Sequence, residues 1–195
     1  MPVDLSTKNL INIGVFTAIY FVISFASGML GIIGPQFILV GMVIGGLINA
    51  VVMMLYLVRT PTIGALTITG FVIGVLFFFT GHTWISIIVN TIFGFLGDLI
   101  CASGQFKSRW KNILGYAVFT LSGISPLIPI FINSDEYFAL VAEQMNNQAY
   151  ADQMRAIFQP TSMVLMLVAV FCISVVGGYI GTKVLDKHFV RAGIV

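Results

Sequence analysis

Asp98 is the one carboxylate inside a long apolar run, and an ionisable group at that depth is where chemistry is sought first. It stands about a turn and a half from the basic end of its run, within reach of Lys107, Arg109 or Arg59. A structural ion pair or hydrogen bond is one reading of it. A proton-coupling role is the other, but a relay needs a second titratable group at similar depth. Asn49 and Asn90 are uncharged polar groups in the apolar runs, suited to holding helices together or to meeting a ligand. Of the two histidines, His82 lies in a polar turn beside Trp84, and His188 lies in a basic tail and is expected to be solvated.

The segment SGISPLIPIF (122–131) carries Pro126 and Pro129, each of which removes a backbone donor. The carbonyls four residues earlier, at Ser122 and Ser125, are thereby expected to be freed for a polar pocket. Cys101 and Cys172 both sit in apolar runs as small hydrophobes, and no Cys/His spacing matches a zinc site. The chain lacks a Walker A motif, a nucleophile elbow, H-E-x-x-H and paired carboxylates, and GGYIGTK (177–183) has the glycines of a phosphate loop without their spacing. No catalytic residue, metal or cofactor is therefore expected, and the chain is not read as an enzyme.

The elements that must position these residues are apolar. The chain of 195 residues is 58% hydrophobic and 8% charged, with a mean hydropathy of +1.05. That leaves room for six spans and no soluble catalytic domain, so residues 1–195 are read as one membrane domain. The spans are placed at about 10–31, 36–58, 63–79, 84–103, 113–132 and 161–184. The first run is followed by five more, so it reads as a retained span and not as a cleaved signal.

Charge then sets direction. With six spans, Lys8, Arg59, Lys107, Arg109, Lys111, Lys183, Lys187 and Arg191 fall at one face and Arg155 alone at the other. Short basic loops stay cytoplasmic, so both termini are expected inside. Trp84 and Trp110 sit at opposite ends, as interfacial aromatics do. A formal charge of +2 is too small to suggest nucleic acid as a partner.

The outer stretch 133–160 reads as two short amphipathic helices between the fifth and sixth spans. Ser134 can cap the first, with Asp135 and Glu136 in its opening turn. Phe138, Val141 and Met145 share one face, Asn146-Asn147 breaks the run, Met154, Ile157 and Phe158 form a second stripe, and Pro160 opens the last span. The pair is either an interfacial connector or a lid. Small residues four apart recur at Gly14/Ala18, Gly41/Gly45, Gly70/Gly74 and Gly177/Gly181, a spacing that lets helices approach closely in lipid. A pair that faces outward would mark a partner surface.

The opening LINIGVFTAIYFV (10–22) and the closing GGYIGTKVLDKHFVRAGIV (177–195), with FLGDLICASGQFKS (95–108) at the end of the fourth span, carry a family resemblance. The chain resembles an S component, the substrate-capture subunit, of an energy-coupling factor (ECF) transporter, of the Trep_Strep-like subfamily. The resemblance covers essentially the whole chain. It implies a bacterial cytoplasmic-membrane protein that binds a vitamin or other micronutrient at its outer side and docks on a coupling membrane subunit driven by two cytoplasmic ATPases.

The family's first helix docks through Ala-xxx-Ala. The matching positions are Gly14 and Ala18, with glycine replacing the first alanine. Family ligand contacts come from outer helix ends and loops, which here hold Gln36, His82, Trp84, Asn90, Asn133 and Gln159. The glycine-rich connector 28–34 looks like the family's gating loop. A pocket of aromatics, amides and one histidine suits a flat, largely neutral heterocycle. The competing readings are a stand-alone secondary transporter or channel, which usually shows repeated halves or several intramembrane charges, and a small membrane enzyme, which needs two polar groups at one depth.

Overall fold

The structure, a computed structural model, describes residues 3–190. Arg191 and the rest of the C-terminal tail lie outside the described residues, as does the side chain of His188.

Every described element is helical, as a lipid environment demands of a chain that must satisfy its own backbone. The long helices are α1 (Thr7–Gly28), α2 (Gln36–Arg59), α3 (Ala65–Phe79), α4 (Ile85–Ser103), α5 (Arg109–Thr120) and α9 (Pro160–Val184). Between α5 and α9 come a 3₁₀ segment (Leu121–Leu127), a single turn α6 (Pro129–Ile132), and two short helices, α7 (Ser134–Met145) and α8 (Gln148–Ile157). A further 3₁₀ turn, Met29–Ile32, follows α1.

Among the described residues, four helical runs are long and apolar enough to cross a membrane: Thr7–Ile32, Gln36–Arg59, Ile85–Ser103 and Pro160–Lys187. The other two expected spans depart from that length for identifiable reasons. α3 has 15 residues, about 22 Å of helix, because Gly64 turns the chain at φ 102° directly before it. The expected span at 113–132 begins earlier, at Arg109, and is broken. Its backbone tightens into a 3₁₀ segment around Pro126, where the Ile128 N–H donates to the Ser125 carbonyl at 3.4 Å. The chain thus takes up a carbonyl that the prolines were expected to leave exposed.

α3 packs most extensively on α4, and α2 on α1 and α9. Missing side chains make the first of these contacts possible. A Cβ on Gly70 would lie 2.2 Å from the Asn90 carbonyl oxygen, and one on Gly94 would lie 2.4 Å from the Leu66 carbonyl oxygen. The main core gathers Met53, Tyr56, Leu57, Leu66, Tyr116 and Phe119 between α2, α3 and α5. A second, smaller core of Leu127, Ile130, Phe138, Met154, Phe158 and Met163 seats α7 and α8 on one end of the bundle.

The two ends differ in charge. The Asp4 N–H donates to Thr62 Oγ1 at 2.8 Å, and Arg109 forms a bidentate pair with Asp186 at 2.8 and 2.9 Å. These ties gather the chain's start, the α2–α3 and α4–α5 turns and the end of α9 at one end, with seven of the described cations: Lys8, Arg59, Lys107, Arg109, Lys111, Lys183 and Lys187. Arg155 is at the other end, 2.8 Å from Asp135 and 4.8 Å from the centre of the Phe138 ring.

Candidate functional site

Asp98 is fully buried, and its partners are not cations. Its carboxylate accepts from the N–H groups of Gly64, Leu66 and Thr67 at 2.9, 3.1 and 2.9 Å, and from the Thr67 hydroxyl at 2.6 Å. The start of a helix leaves N–H groups without intrahelical acceptors and carries the positive end of its dipole. Asp98 supplies that acceptor across the α3–α4 contact. The expected ion pair with Lys107, Arg109 or Arg59 gives way to the hydrogen-bonding alternative.

The end opposite the basic one is the candidate ligand end. There α7 and α8 form a hairpin over the bundle. Asn133, and not the expected Ser134, caps α7: its Oδ1 accepts from the Glu136 N–H at 3.4 Å, and its Nδ2 donates to the Glu136 carboxylate at 2.8 Å. Asn146, left-handed at φ 47°, ends α7, and Asn147 caps α8. The Tyr150 hydroxyl donates to the Gly31 carbonyl at 2.7 Å, latching the hairpin onto the connector between α1 and α2. Burial raises the Tyr150 phenol and pushes that of Tyr137 up to about 12. Tyr150→Phe removes one hydrogen bond, worth about 1 kcal/mol, and protease cleavage at Asn146-Asn147 is expected to quicken several-fold.

Beneath the hairpin a cleft of about 290 Å³ runs between α2 and α9, lined among others by Met42, Val43, Phe158, Ser162, Met166 and Val170. Ser162 is its one hydroxyl, and the single proton of that group is shared between the Gln159 carbonyl, at 2.8 Å, and the Ile157 carbonyl. The cleft can therefore accept an apolar body and offers almost no directed polar contact.

The six residues expected to touch ligand are spread around this end. Gln36 opens α2 and is exposed, and Trp84 precedes α4 at 59% exposure. Gln159, exposed, precedes α9 and donates through Nε2 to the Arg155 carbonyl. Asn90 is 1% exposed, and its Nδ2 donates to the Ser86 carbonyl and to Ser125 Oγ, both at 2.8 Å, tying α4 to the 3₁₀ segment. No hydrogen bond or ring contact joins any two of the six, and none of them lines the 290 Å³ cleft.

His82 leans on Phe77, with ring centres 5.4 Å apart, and its Nδ1 lies 3.2 Å from both the Phe77 carbonyl oxygen and Thr80 Oγ1. Burial lowers its pKa, against the Phe77 hydrogen bond, which raises it. The folded chain then binds this proton less readily than the unfolded chain. The group's share of stability is whole above 6.5, its ordinary value, and is lost as pH falls through the lower folded value. The thermal midpoint is expected to fall on acidification below that point, and less steeply in His82→Gln.

The second candidate surface is on α1. Of the four small-residue pairs, three are filled from within. A Cβ on Gly41 would meet the Ser27 carbonyl oxygen at 2.2 Å, one on Gly74 the Ile87 Cα at 2.5 Å, and one on Gly181 the Ala50 carbonyl oxygen at 2.9 Å. Over Gly14 no other atom of the described residues lies within 4 Å of a Cβ. Gly14 and Ala18 are both exposed, flanked by exposed Ile11, Val15 and Val22. The sequence could list the pairs but not say which one faced out.

No curated protein and no solved structure matches the chain. A family model does, over residues 7–191, and on that match the chain belongs to the Trep_Strep family, described as hypothetical bacterial integral membrane proteins.

Proposed function

We propose that this protein is the substrate-capture subunit of an ATP-driven ECF importer, binding a vitamin or other micronutrient at its outer side and docking on a coupling membrane subunit. In this reading six segments cross the bacterial cytoplasmic membrane. The basic end and both termini are cytoplasmic, and the α7–α8 hairpin covers the outer end. The observation that carries it is the outward pair Gly14 and Ala18. A lipid-facing helix gains nothing from a flat small-residue groove, whereas a second helix approaching it gains close backbone packing. These are the positions at which the resemblance to S components places the docking motif. The absence of a phosphate loop fits a subunit that leaves ATP hydrolysis to its partners.

The test is assembly. The tagged chain, co-expressed with an ECF coupling subunit and its two ATPases, is expected to purify with all three in fixed stoichiometry. Purification of the chain alone under conditions that recover an authentic S component with the same module would overturn the reading.

A further inference from the structure

The cleft of about 290 Å³ at the outer end has its cause in the packing of α2 on α9. Toward the basic end the two helices meet where glycine removes the side chain. A Cβ on Gly177 would lie 3.0 Å from the Ala50 Cβ, and one on Gly181 would lie 2.9 Å from the Ala50 carbonyl oxygen. Outward of that contact Met42 and Met166 stand on the facing surfaces, and the cleft lies there. Along α9 it runs from Ser162 to Ile173, about 16 Å of helix, or roughly one leaflet of a ~30 Å hydrocarbon core. Phe158, 2% exposed at the end of α8, belongs to its outer wall and closes it toward the hairpin. Leu39 and Leu165, 36% and 66% exposed, border it on the side that a bilayer covers. A ligand thus enters sideways from the outer leaflet, and the latched hairpin need not move.

The lining decides what can bind. The Ser162 proton is already shared between two carbonyls, and none of the described lining residues carries a charge or a side-chain amide. A polar heterocycle would lose its hydrogen bonds to water there without replacement. The volume stands at the lower edge of the ~300–1,000 Å³ usual for small-molecule sites, which admits one tail or ring system and not both chains of a phospholipid. Lipid tails are as apolar as the cleft, so transfer alone favours no occupant and fit must choose it. Val43, Val170 and Ile173 are branched at Cβ and hold one shape, while Met42 and Met166 adapt to what lies against them. A stiff, methyl-branched body meets such walls with a smaller loss of freedom than a straight chain. We infer that this cleft binds a lipophilic micronutrient by an isoprenoid-type tail taken from the outer leaflet. In calling that ligand the substrate, the inference rests on the proposed function.

The experiment uses the full chain in detergent and native mass spectrometry, titrating farnesol, dodecanol and dioleoylphosphatidylcholine. Dodecanol shares the backbone length and terminal hydroxyl of farnesol but lacks its branches and double bonds. One farnesol per chain is expected, bound at least fivefold more tightly than dodecanol and not displaced by excess phosphatidylcholine. Ala169→Trp and Val43→Trp each put an indole into the cleft, and each is expected to weaken farnesol at least tenfold. Ala169 is exposed, so its variant is expected to keep the parent melting temperature. Equal binding of farnesol and dodecanol, displacement of farnesol by phosphatidylcholine, or unchanged farnesol binding in both folded variants overturns the proposal. Capture by the ECF module is measured on the same chain. No farnesol binding by a chain that assembles overturns this inference alone, and farnesol binding by a chain that never assembles overturns the proposed function alone.

Discussion

Asp98→Leu is expected to remove about 4 kcal/mol of stability, enough to deplete the folded protein from the membrane. The substitution leaves the N–H groups of Gly64, Leu66 and Thr67 without their acceptor at the buried start of α3. No water replaces it there, because Asp98 is fully buried and the α3–α4 contact is closed by glycines at backbone distance. Asp98→Asn keeps one acceptor oxygen but turns an amide donor toward donors, and an intermediate loss of about 2 kcal/mol is expected. Unfolding of the purified variants in graded detergent denaturant measures both. If Asp98 instead carried protons for transport, Asp98→Asn would leave stability near that of the parent chain and abolish activity.

The second large effect is on assembly. Gly14→Trp combined with Ala18→Trp is expected to reduce capture by an ECF coupling module at least tenfold, roughly 1.4 kcal/mol, because two indoles hold the helices apart. The melting temperature of the lone chain should not move, since no other atom of the described residues lies within 4 Å of a Cβ at Gly14. Gly70→Ala is the internal contrast. Its new Cβ would sit 2.2 Å from the Asn90 carbonyl oxygen, so it is expected to destabilise the chain. Capture titrations with detergent-solubilised module, read beside thermal unfolding, separate the two. A double variant that melts early would place Gly14 and Ala18 inside the packing.

The long apolar runs were legible because lipid permits only helices, and α2, α4 and α9 fall within a residue or two of where hydropathy puts them. The break at Pro126 was legible as a break but not as a repair, since the tightening that gives Ser125 O a donor depends on backbone geometry. Asp98 stood out by type, yet its partners are backbone N–H groups, which every residue carries and no side-chain identity announces. Capping by Asn133 instead of Ser134 is a choice between adjacent cap-forming residues that sequence alone does not separate. Asn90 was visible as a polar group in an apolar run, but its tie to Ser125 spans 35 positions. The left-handed turn at the basic end was missed. Its signal was the segment Gly104-Gln105-Phe106, where glycine stands one residue before the left-handed pair, and nothing in the residue types shows that offset.

Reconstitution into proteoliposomes tests the proposed function most directly. The purified chain is inserted alone or with an ECF coupling subunit and its two ATPases, and uptake of the small molecule that co-purifies with the chain is followed with and without internal ATP. Accumulation only when module and ATP are both present is the expected result, with binding but no transport by the chain alone. Uptake by the lone chain, driven by an ion gradient or by the ligand's own gradient, would contradict the account and identify a stand-alone transporter.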